Sequence, residues 1–143
     1  MAKLTIMIGI PASGKSTIAE QYGTVVSTDA IREELWGDAS IQKSSDKVFR
    51  VAYDRIHNLL TEGKDAVLDA TNVSAKRRKE AIKEFAEADE VVAVWVNTDA
   101  QTAIKRNADR DRKVPYSVIR RMSNQLEAPS LDEGFSKIIQ IKS

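Results

Sequence analysis

The sequence predicts an α/β fold with about five parallel strands sandwiched by helices. Short apolar runs of strand length recur along the chain, and each is followed by a stretch with the apolar spacing of an amphipathic helix. Because parallel strands need a long crossover between them, this alternation is typical of a parallel sheet covered on both faces. We find no repeat, low-complexity segment or linker, and we expect one domain over residues 1–143.

The predicted strands are apolar runs bounded by turn residues. The first, third and fourth are rich in Val, Ile and Leu, as strands buried on both faces usually are. The second is short, centres on Val25 and Val26, and ends near Thr28. The other predicted strands are residues 3–8, 66–69, 91–96 and 137–141.

The predicted helices follow from apolar spacing and from residues that begin or end helices. Ser44 or Ser45 can cap the third helix, whose apolar face includes Phe49, and Ser74 can cap the fourth. Pro115 suits the start of the last helix. The predicted helices are residues 15–22 with Gly23 as a stop, 29–36, 44 or 45 to Gly63, about 74–85, 100–108 and 115–126, and residues 129–134 are predicted as a loop.

Composition restricts the chemistry. The chain has no cysteine, which excludes disulfides, thiolate catalysis and Cys-based zinc sites and fits a reducing cytoplasm, where we expect the protein. The net charge is +1, whereas a dedicated duplex-DNA binder is usually more basic. Local positive charge can still bind a nucleic-acid end or a small anionic substrate. No apolar run approaches the length of a membrane span.

Residues 9–16, GIPASGKS, give the strongest functional signal, since they match the pattern G-x-x-x-x-G-K-[ST] at every fixed position. Glycines let the backbone turn its N–H groups toward phosphate oxygens, and the following helix adds the positive end of its dipole. Lys15 is expected to bind the β- and γ-phosphates and Ser16 to bind Mg²⁺. A chance match is the weaker interpretation, because a strand precedes this segment, the phosphate loop, and a helix follows it. The predicted nucleotide contacts are Gly9, Pro11, Ala12, Ser13, Gly14, Lys15, Ser16 and Thr17.

Asp29 and Arg32 follow the second strand, and ligands of open α/β sheets bind at the carboxyl ends of strands. Phosphoryl transfer to an alcohol uses a carboxylate that orients the hydroxyl and accepts its proton, which we predict to be Asp29. Arg32 lies three residues on, on the same helical face, and can hold the acceptor. The alternative is that Asp29 only caps a helix and Arg32 is solvated. Beside a phosphate loop we favour the functional interpretation.

Asp69 closes the third strand, where a carboxylate is typical of a residue that holds Mg²⁺ directly or through water. The alternative is a turn aspartate without a ligand, and Asp29 competes for the same place near the metal. We predict Ser16 and Asp69 as metal-associated residues.

Two basic segments follow. Residues 76–79, KRRK, begin a helix, where cations oppose the helix dipole, so some of them are expected to meet an anionic substrate. A solvated charge run is the alternative. Residues 105–115 place several arginines at a helix end and in a short loop, and we predict a lid that clamps the transferring phosphoryl group. The alternative is a charged surface corner, where Asp109 and Asp111 pair with the arginines. His57 and Trp95 are interpreted as structural, and for Trp36 core packing is favoured over stacking on a base or sugar.

Together these pieces resemble the kinase domain of bacteriophage-type polynucleotide 5′-hydroxyl kinase, within the wider family of small P-loop (zeta-toxin-like) kinases. The matching segments are GIPASGKST, STDAIREELWGD, LDATN with the basic helix start after it, KRNADRDRKVP with PYSVIRRM, and EAPSLDEGF. They cover nearly the whole chain. The phosphate loop is shared by many nucleoside triphosphatases, whereas Asp-x-x-Arg and Arg-Asn-x-x-x-Arg together are more selective.

The resemblance implies a P-loop kinase fold with a helical arginine lid, and ATP or another NTP with Mg²⁺ as cofactors. It implies Lys15, Asp29 and Arg110 as catalytic residues, with Asp29 as general base and Arg110 on the donor phosphates. Arg32 would contact a phosphate next to the reactive nucleoside. The remaining predicted contacts are Arg106 to the donor and Thr71, Asn72 and Arg77 to the acceptor.

The function expected from these residues is transfer of the γ-phosphoryl group of ATP to a hydroxyl, foremost the 5′-hydroxyl of a DNA or RNA end. One alternative is a kinase for a nucleoside, sugar or sugar nucleotide. Another is a regulatory NTPase without a transfer substrate. No DxDGT-type aspartate nucleophile occurs in the chain, so removal of 3′-phosphates is not predicted.

Overall fold

The computed structural model describes residues 2–37, 45–110 and 114–143, in which strands and helices alternate along the chain. The elements are β1 (Lys3–Ile8), α1 (Lys15–Ala19), β2 (Thr24–Ser27), α2 (Thr28–Trp36), α3 (Ser45–Thr61), β3 (Ala66–Asp69), α4 (Ala75–Glu84), β4 (Glu90–Asn97), α5 (Ala100–Ala108), α6 (Tyr116–Gln125), a 3-10 turn (Leu131–Glu133) and β5 (Lys137–Lys142). None of the described helices is long and apolar enough to cross a membrane.

The strands form one parallel sheet in the order β2-β3-β1-β4-β5, which confirms the predicted five-stranded parallel sheet. β1 lies at its centre, with Leu4 opposite Ala66 of β3 and Val91 of β4. The strand order changes direction at β1, between β3 and β4. This arrangement places the residues that follow β1, β2 and β3 at one edge of the sheet, where open α/β folds bind ligands.

Successive β1 side chains point to opposite faces of the sheet, and each face is covered by helices. Leu4, Ile6 and Ile8 belong to a large core cluster with the apolar sides of α3 and α4. Met7 belongs to a second cluster, on the other face, with Ala19 of α1. A third, smaller cluster joins the start of the phosphate loop to α5 and α6 through Ile10, Ala103 and Ile119.

Several predicted boundaries differ from the observed ones. α1 ends at Ala19 and not near Tyr22, because the amides of Gln21 and Tyr22 donate to carbonyls three residues back and tighten the chain into turns. Gly23 does not end the helix as predicted. A glycine is needed there because a Cβ would lie 2.7 Å from the Asp65 carbonyl oxygen. Residues 129–134, predicted as a loop, contain the 3-10 turn. The possible cap Ser44 lies outside the described residues.

Thr5 is fully buried in β1, and its hydroxyl has no hydrogen-bond partner within the described part of the chain. Its neighbours across the sheet are Val67 and Val92. Because a buried polar group without a partner destabilises the native state, Thr5→Val is expected to raise the free energy of unfolding by about 1 kcal/mol. Urea denaturation measures this change. Thr24→Val, at an exposed position of β2, is the matched control and should have little effect.

His57 joins α3 to the end of α4 near the surface. Its Nε2 lies 2.8 Å from Oε2 of Glu84, its Nδ1 contacts Oε2 of Glu87, and its ring packs on Phe85. Burial alone would lower the pKa of His57, but the hydrogen bonds to Glu87 and Glu84 outweigh burial and raise it. Burial alone would raise the pKa of Glu87, and the hydrogen bond from His57 lowers it. The charged forms of His57 and Glu87 therefore stabilise the fold.

The His57 contacts predict a pH-dependent stability. A raised histidine pKa stabilises the native state fully below the unfolded value of 6.5, and this contribution is lost as pH rises through the folded-state pKa. A lowered glutamate pKa stabilises above 4.5 and is lost as pH falls through the folded-state value. His57→Gln should therefore flatten the decline in melting temperature above pH 6.5. An unchanged decline in the variant would show that another group causes it.

Candidate active site

A cleft of about 540 Å³ lies at the carboxyl ends of β1, β2 and β3, where the phosphate loop meets α2, α5 and α6. It brings together most of the residues that the sequence singled out. The lining residues are Pro11, Ala12, Gly14, Lys15, Ser16, Thr17, Thr28, Asp29, Arg32, Phe49, Asp69, Ala70, Thr71, Arg106, Arg110, Val114, Pro115, Val118, Arg121 and Met122. Four predicted site residues are not among them: Gly9, Ser13, Asn72 and Arg77.

The phosphate loop has an unusual backbone. Ala12 and Gly14 both have positive φ, 65° and 92°, which is uncommon for alanine and typical of turns whose N–H groups form an anion-binding nest. Gly9 has no room for a side chain, because a Cβ there would lie 2.8 Å from Ser13 Oγ and 3.1 Å from the Val96 carbonyl oxygen. Gly9 and Ser13 therefore shape the phosphate loop from behind the cleft wall.

The phosphate loop is held by contacts from three other segments. The Ser13 carbonyl accepts hydrogen bonds from Thr98 Oγ1 and from a guanidinium nitrogen of Arg106, both at 3.3 Å. The amide of Gly9 donates to the carbonyl of Thr71, in the loop after β3, at 3.0 Å. Arg106, predicted to bind the donor nucleotide, also donates to Ser143 Oγ at 2.7 Å. Its guanidinium thus braces the phosphate loop at the cleft wall.

Lys15, Ser16 and Asp69 form the floor of the cleft. Lys15 is buried at the start of α1, and Ser16 Oγ donates to Asp69 Oδ2 at 2.8 Å. A hydroxyl and a carboxylate held together fit Mg²⁺, which prefers oxygen ligands. No cluster of three or more acidic or histidine side chains suited to a metal occurs among the described residues. A metal here would therefore depend on phosphate oxygens and water as well, as Mg²⁺ does in phosphoryl-transfer sites.

Asp29 and Arg32 lie on α2 and face the cleft. The N-cap of α2 is Ser27, whose side chain accepts from the Ala30 amide, so the alternative interpretation of Asp29 as a helix cap is wrong. The Asp29 side chain is about half exposed (48%). Arg32 is nine-tenths buried, which is inconsistent with a solvated arginine. One guanidinium nitrogen of Arg32 lies 3.3 Å from Asp29 Oδ1, and its Nε has no hydrogen-bond partner within the described residues.

The basic start of α4 has two different roles. Arg78 is fully buried and forms two hydrogen bonds with the carboxylate of Glu133, at 2.6 and 3.0 Å, so this member of the run is structural and does not meet a substrate. A third hydrogen bond, at 2.8 Å, goes to the carbonyl of Asn72. The exposed Arg77 places its guanidinium 4.9 Å from the centre of the Phe49 ring.

The Asn72 side chain is hydrogen-bonded to backbone carbonyls of the protein itself. The residue has a positive φ of 47°, and its side-chain amide donates to the carbonyls of Met7, at 2.7 Å, and Ala70, at 3.3 Å. Neither the cleft lining nor these contacts support the predicted role of Asn72 in acceptor binding. Its geometry fixes the loop that presents Thr71 to the cleft.

The predicted arginine lid comprises the end of α5 and the start of α6. Arg110 lines the cleft, and residues 111–113 lie outside the described residues. Asn107 is buried and spans the base of the connection, donating to the Val114 carbonyl at 2.6 Å and accepting from the Val114 amide at 2.9 Å. This pair of hydrogen bonds fixes where α6 begins relative to α5.

Sequence reasoning assigned no site role to several lining residues. Phe49 was placed on the core face of its helix, and Arg121 occurs in a matching segment without a predicted role. Five cationic side chains line the described cleft, against the carboxylates of Asp29 and Asp69. Such a surplus attracts anionic ligands and raises their local concentration. The residues that sequence reasoning missed are Thr28, Phe49, Ala70, Val118, Arg121 and Met122, whereas Val114 and Pro115 belong to the predicted lid.

The fold and the site define a P-loop, kinase-like protein, and comparison with known proteins agrees. The chain belongs to the AAA domain family, whose sequence model matches residues 4–129. It is 26% identical over 140 residues to an L-seryl-tRNA(Sec) kinase of Methanococcus maripaludis, covering 88% of this chain and 53% of that protein. It is 20% identical over 146 residues to the bifunctional polynucleotide phosphatase/kinase of Schizosaccharomyces pombe, covering 97% of this chain and 33% of the relative. The chain thus spans about half or less of the length of these relatives.

Among solved structures, a chain of the Pnkp1/Rnl/Hen1 RNA repair complex has the same fold. The TM-score is 0.77 at 22% sequence identity, and the match covers 87% of this chain and 44% of that one. This similarity confirms the α/β P-loop kinase-like architecture.

Proposed function

We propose that this protein transfers the γ-phosphoryl group of ATP, with Mg²⁺, to a hydroxyl carried by a nucleic acid, foremost the 5′-hydroxyl of a DNA or RNA end. The observation that carries the proposal is Arg32. Its guanidinium is nine-tenths buried beside Asp29 in the cleft, and its Nε has no hydrogen-bond partner within the described residues. A buried cationic group of this kind is stabilised when an anion completes its hydrogen bonds. A phosphate next to the acceptor hydroxyl supplies that anion.

Asp29 is placed to accept the proton of the acceptor hydroxyl. Its carboxylate lies in the same cleft as Lys15 and Ser16 and is exposed enough to meet a substrate. In the proposed step the acceptor oxygen loses its proton to Asp29 and forms a bond to the γ-phosphorus. The bond from the γ-phosphorus to the β–γ bridging oxygen breaks, and ADP leaves with that oxygen.

The remaining cleft residues divide between charge stabilisation and metal binding. Lys15 and Arg110 would stabilise the charge on the transferring phosphoryl group. Ser16 and Asp69 would hold Mg²⁺, which neutralises phosphate charge when bound. Arg106, through its bond to the Ser13 carbonyl, keeps the phosphate loop in position for the donor.

The relatives support a nucleic-acid acceptor. The names of the two relatives described above, an L-seryl-tRNA(Sec) kinase and a polynucleotide phosphatase/kinase, both refer to a nucleic acid. The seryl group of a charged tRNA is the second candidate acceptor, since the seryl-tRNA kinase shares 26% identity with this chain and the polynucleotide phosphatase/kinase 20%.

An acceptor panel tests the proposal. The protein, shown to bind ATP, is incubated with γ-labelled ATP, Mg²⁺ and one of five acceptors: 5′-hydroxyl RNA, 5′-hydroxyl DNA, seryl-tRNA, a nucleoside or a sugar. We expect label on the oligonucleotide 5′ end, in a yield that falls as salt screens the phosphate contacts. Label on seryl-tRNA alone would select the second candidate. Label only on nucleosides or sugars would reject a nucleic-acid acceptor.

A further inference from the structure

Phe49 is the one aromatic residue among the described residues that line the cleft. It lies near the start of α3, which packs against α2, the helix that carries Asp29 and Arg32. Its neighbour Val48 is fully buried in the core, whereas Phe49 is half-buried. A phenyl ring is therefore presented to a cationic cleft, on the side where the acceptor is proposed to bind.

The ring of Phe49 is held in one orientation by two other side chains. The Arg77 guanidinium of α4 lies 4.9 Å from the ring centre, a cation–π contact. Tyr53, one turn further along α3, meets the ring edge-on at 6.0 Å, and Tyr53 in turn packs edge-on against the buried Phe85 at 4.9 Å. Arg77 itself is not among the residues that line the cleft.

We propose that Phe49 is a stacking surface for a nucleobase, so that the acceptor hydroxyl belongs to a nucleoside whose base lies on this ring. The proposal rests on the proposed function and names the part of the acceptor that this wall of the cleft recognises. A fixed, partly exposed aromatic ring beside phosphate-binding arginines is the combination by which proteins hold single-stranded nucleic acid, since every base offers a flat face for stacking. Phe49 thus makes the base a determinant of specificity, while Arg32 holds the adjoining phosphate.

An abasic acceptor tests the stacking contact in transfer. The 5′-terminal residue of an oligonucleotide is replaced by a tetrahydrofuran residue that keeps its 5′-hydroxyl, and kcat/KM for acceptor is measured at saturating ATP. Loss of the base should lower kcat/KM of the wild type by roughly 5- to 100-fold. Phe49→Ala should lower kcat/KM for the normal oligonucleotide by a similar factor and should show no further loss with the abasic one. An abasic penalty that persists undiminished in Phe49→Ala would overturn the proposal.

Binding gives a second test that does not depend on transfer. Thymidine 3′-monophosphate and its abasic counterpart are titrated calorimetrically into the protein with ADP and Mg²⁺ present. The wild type should bind the nucleotide roughly 5- to 100-fold more tightly, and Phe49→Ala should bind both equally. Equal affinities in the wild type would overturn the stacking contact. If oligonucleotides are phosphorylated without a base preference, the stacking proposal fails and the proposed function stands. If no nucleic acid is phosphorylated, the proposed function itself fails.

Matched variants separate stacking from folding. Phe49→Tyr keeps an aromatic face and should retain the base preference, whereas Phe49→Leu keeps apolar bulk and should lose it. Arg77→Ala should weaken the preference, because the ring loses the contact that orients it. Lys83→Ala removes an exposed cation about 9 Å further along α4 and should leave the base preference unchanged. A loss of preference in Lys83→Ala equal to that in Arg77→Ala would assign the effect to general charge.

Discussion

Asp29→Ala is expected to lower kcat for phosphoryl transfer by about 10²–10⁴-fold, the range that a positioned proton acceptor contributes. The KM for ATP should change little, because the proposed donor contacts come mainly from the phosphate loop and the lid. The physical reason is the position of the carboxylate: it is half exposed in the cleft and lies 3.3 Å from the Arg32 guanidinium. Steady-state kinetics with the acceptor that the panel identifies gives both constants.

Two further variants make the Asp29 result specific. Asp29→Asn keeps a hydrogen-bond acceptor for Arg32 but cannot take a proton, so its kcat should fall as far as that of Asp29→Ala. Glu33→Gln removes an exposed carboxylate on the same helix and should have nearly wild-type kinetics. An Asp29→Asn enzyme with near wild-type kcat would contradict proton transfer to this residue and leave it only the role of orienting Arg32.

Arg78→Met is expected to lower the free energy of unfolding by about 3–5 kcal/mol, the usual effect of removing one member of a buried ion pair. Arg78 is fully buried, and the Glu133 side chain is only 4% exposed. Without the guanidinium, the Glu133 carboxylate stays buried with the Ser130 amide as a remaining partner. The carbonyl of Asn72 also loses its hydrogen bond from Arg78. Urea denaturation followed by circular dichroism measures the change.

The double variant Arg78→Met, Glu133→Leu distinguishes a buried charge from lost packing. Because both charges are gone, it should be destabilised less than Arg78→Met alone, and the two substitutions should not be additive. Lys79→Met, at an exposed position of the same basic run, should have little effect on stability. A double variant whose loss equals the sum of the two single losses would contradict the ion-pair explanation.

Much of the fold could be predicted because the strands are apolar runs cut by polar turns. β1, β3 and α5 begin and end at the predicted residues. The location of the site could be predicted from the sequence for a related reason. Asp69 ends β3 and Asp29 comes two residues after β2, and parallel strands bring their carboxyl ends to one edge of the sheet. That residues far apart in the chain meet beside the phosphate loop could therefore be predicted without any knowledge of side-chain contacts.

The remaining features depend on tertiary contacts that helical spacing does not encode. Phe49 has the spacing of a core residue, and only the placement of α3 beside the cleft exposes its ring. Arg78 stands in a run of four cations, and its burial depends on Glu133, 55 residues further along the chain. Gly23 has the sequence context of a helix stop, whereas its close approach to Asp65 requires β2 and β3 to be paired.

The fate of the γ-phosphoryl group is the most direct test of phosphotransfer. Protein, γ-labelled ATP, Mg²⁺ and a 5′-hydroxyl RNA oligonucleotide are combined, and label is divided between the RNA 5′ end and inorganic phosphate, with Asp29→Ala in parallel. We expect label to accumulate on the RNA end with the wild type and to be lost with the variant. Release of labelled inorganic phosphate at equal rates by both proteins, without labelled RNA, would contradict the account and indicate an NTPase that does not use Asp29.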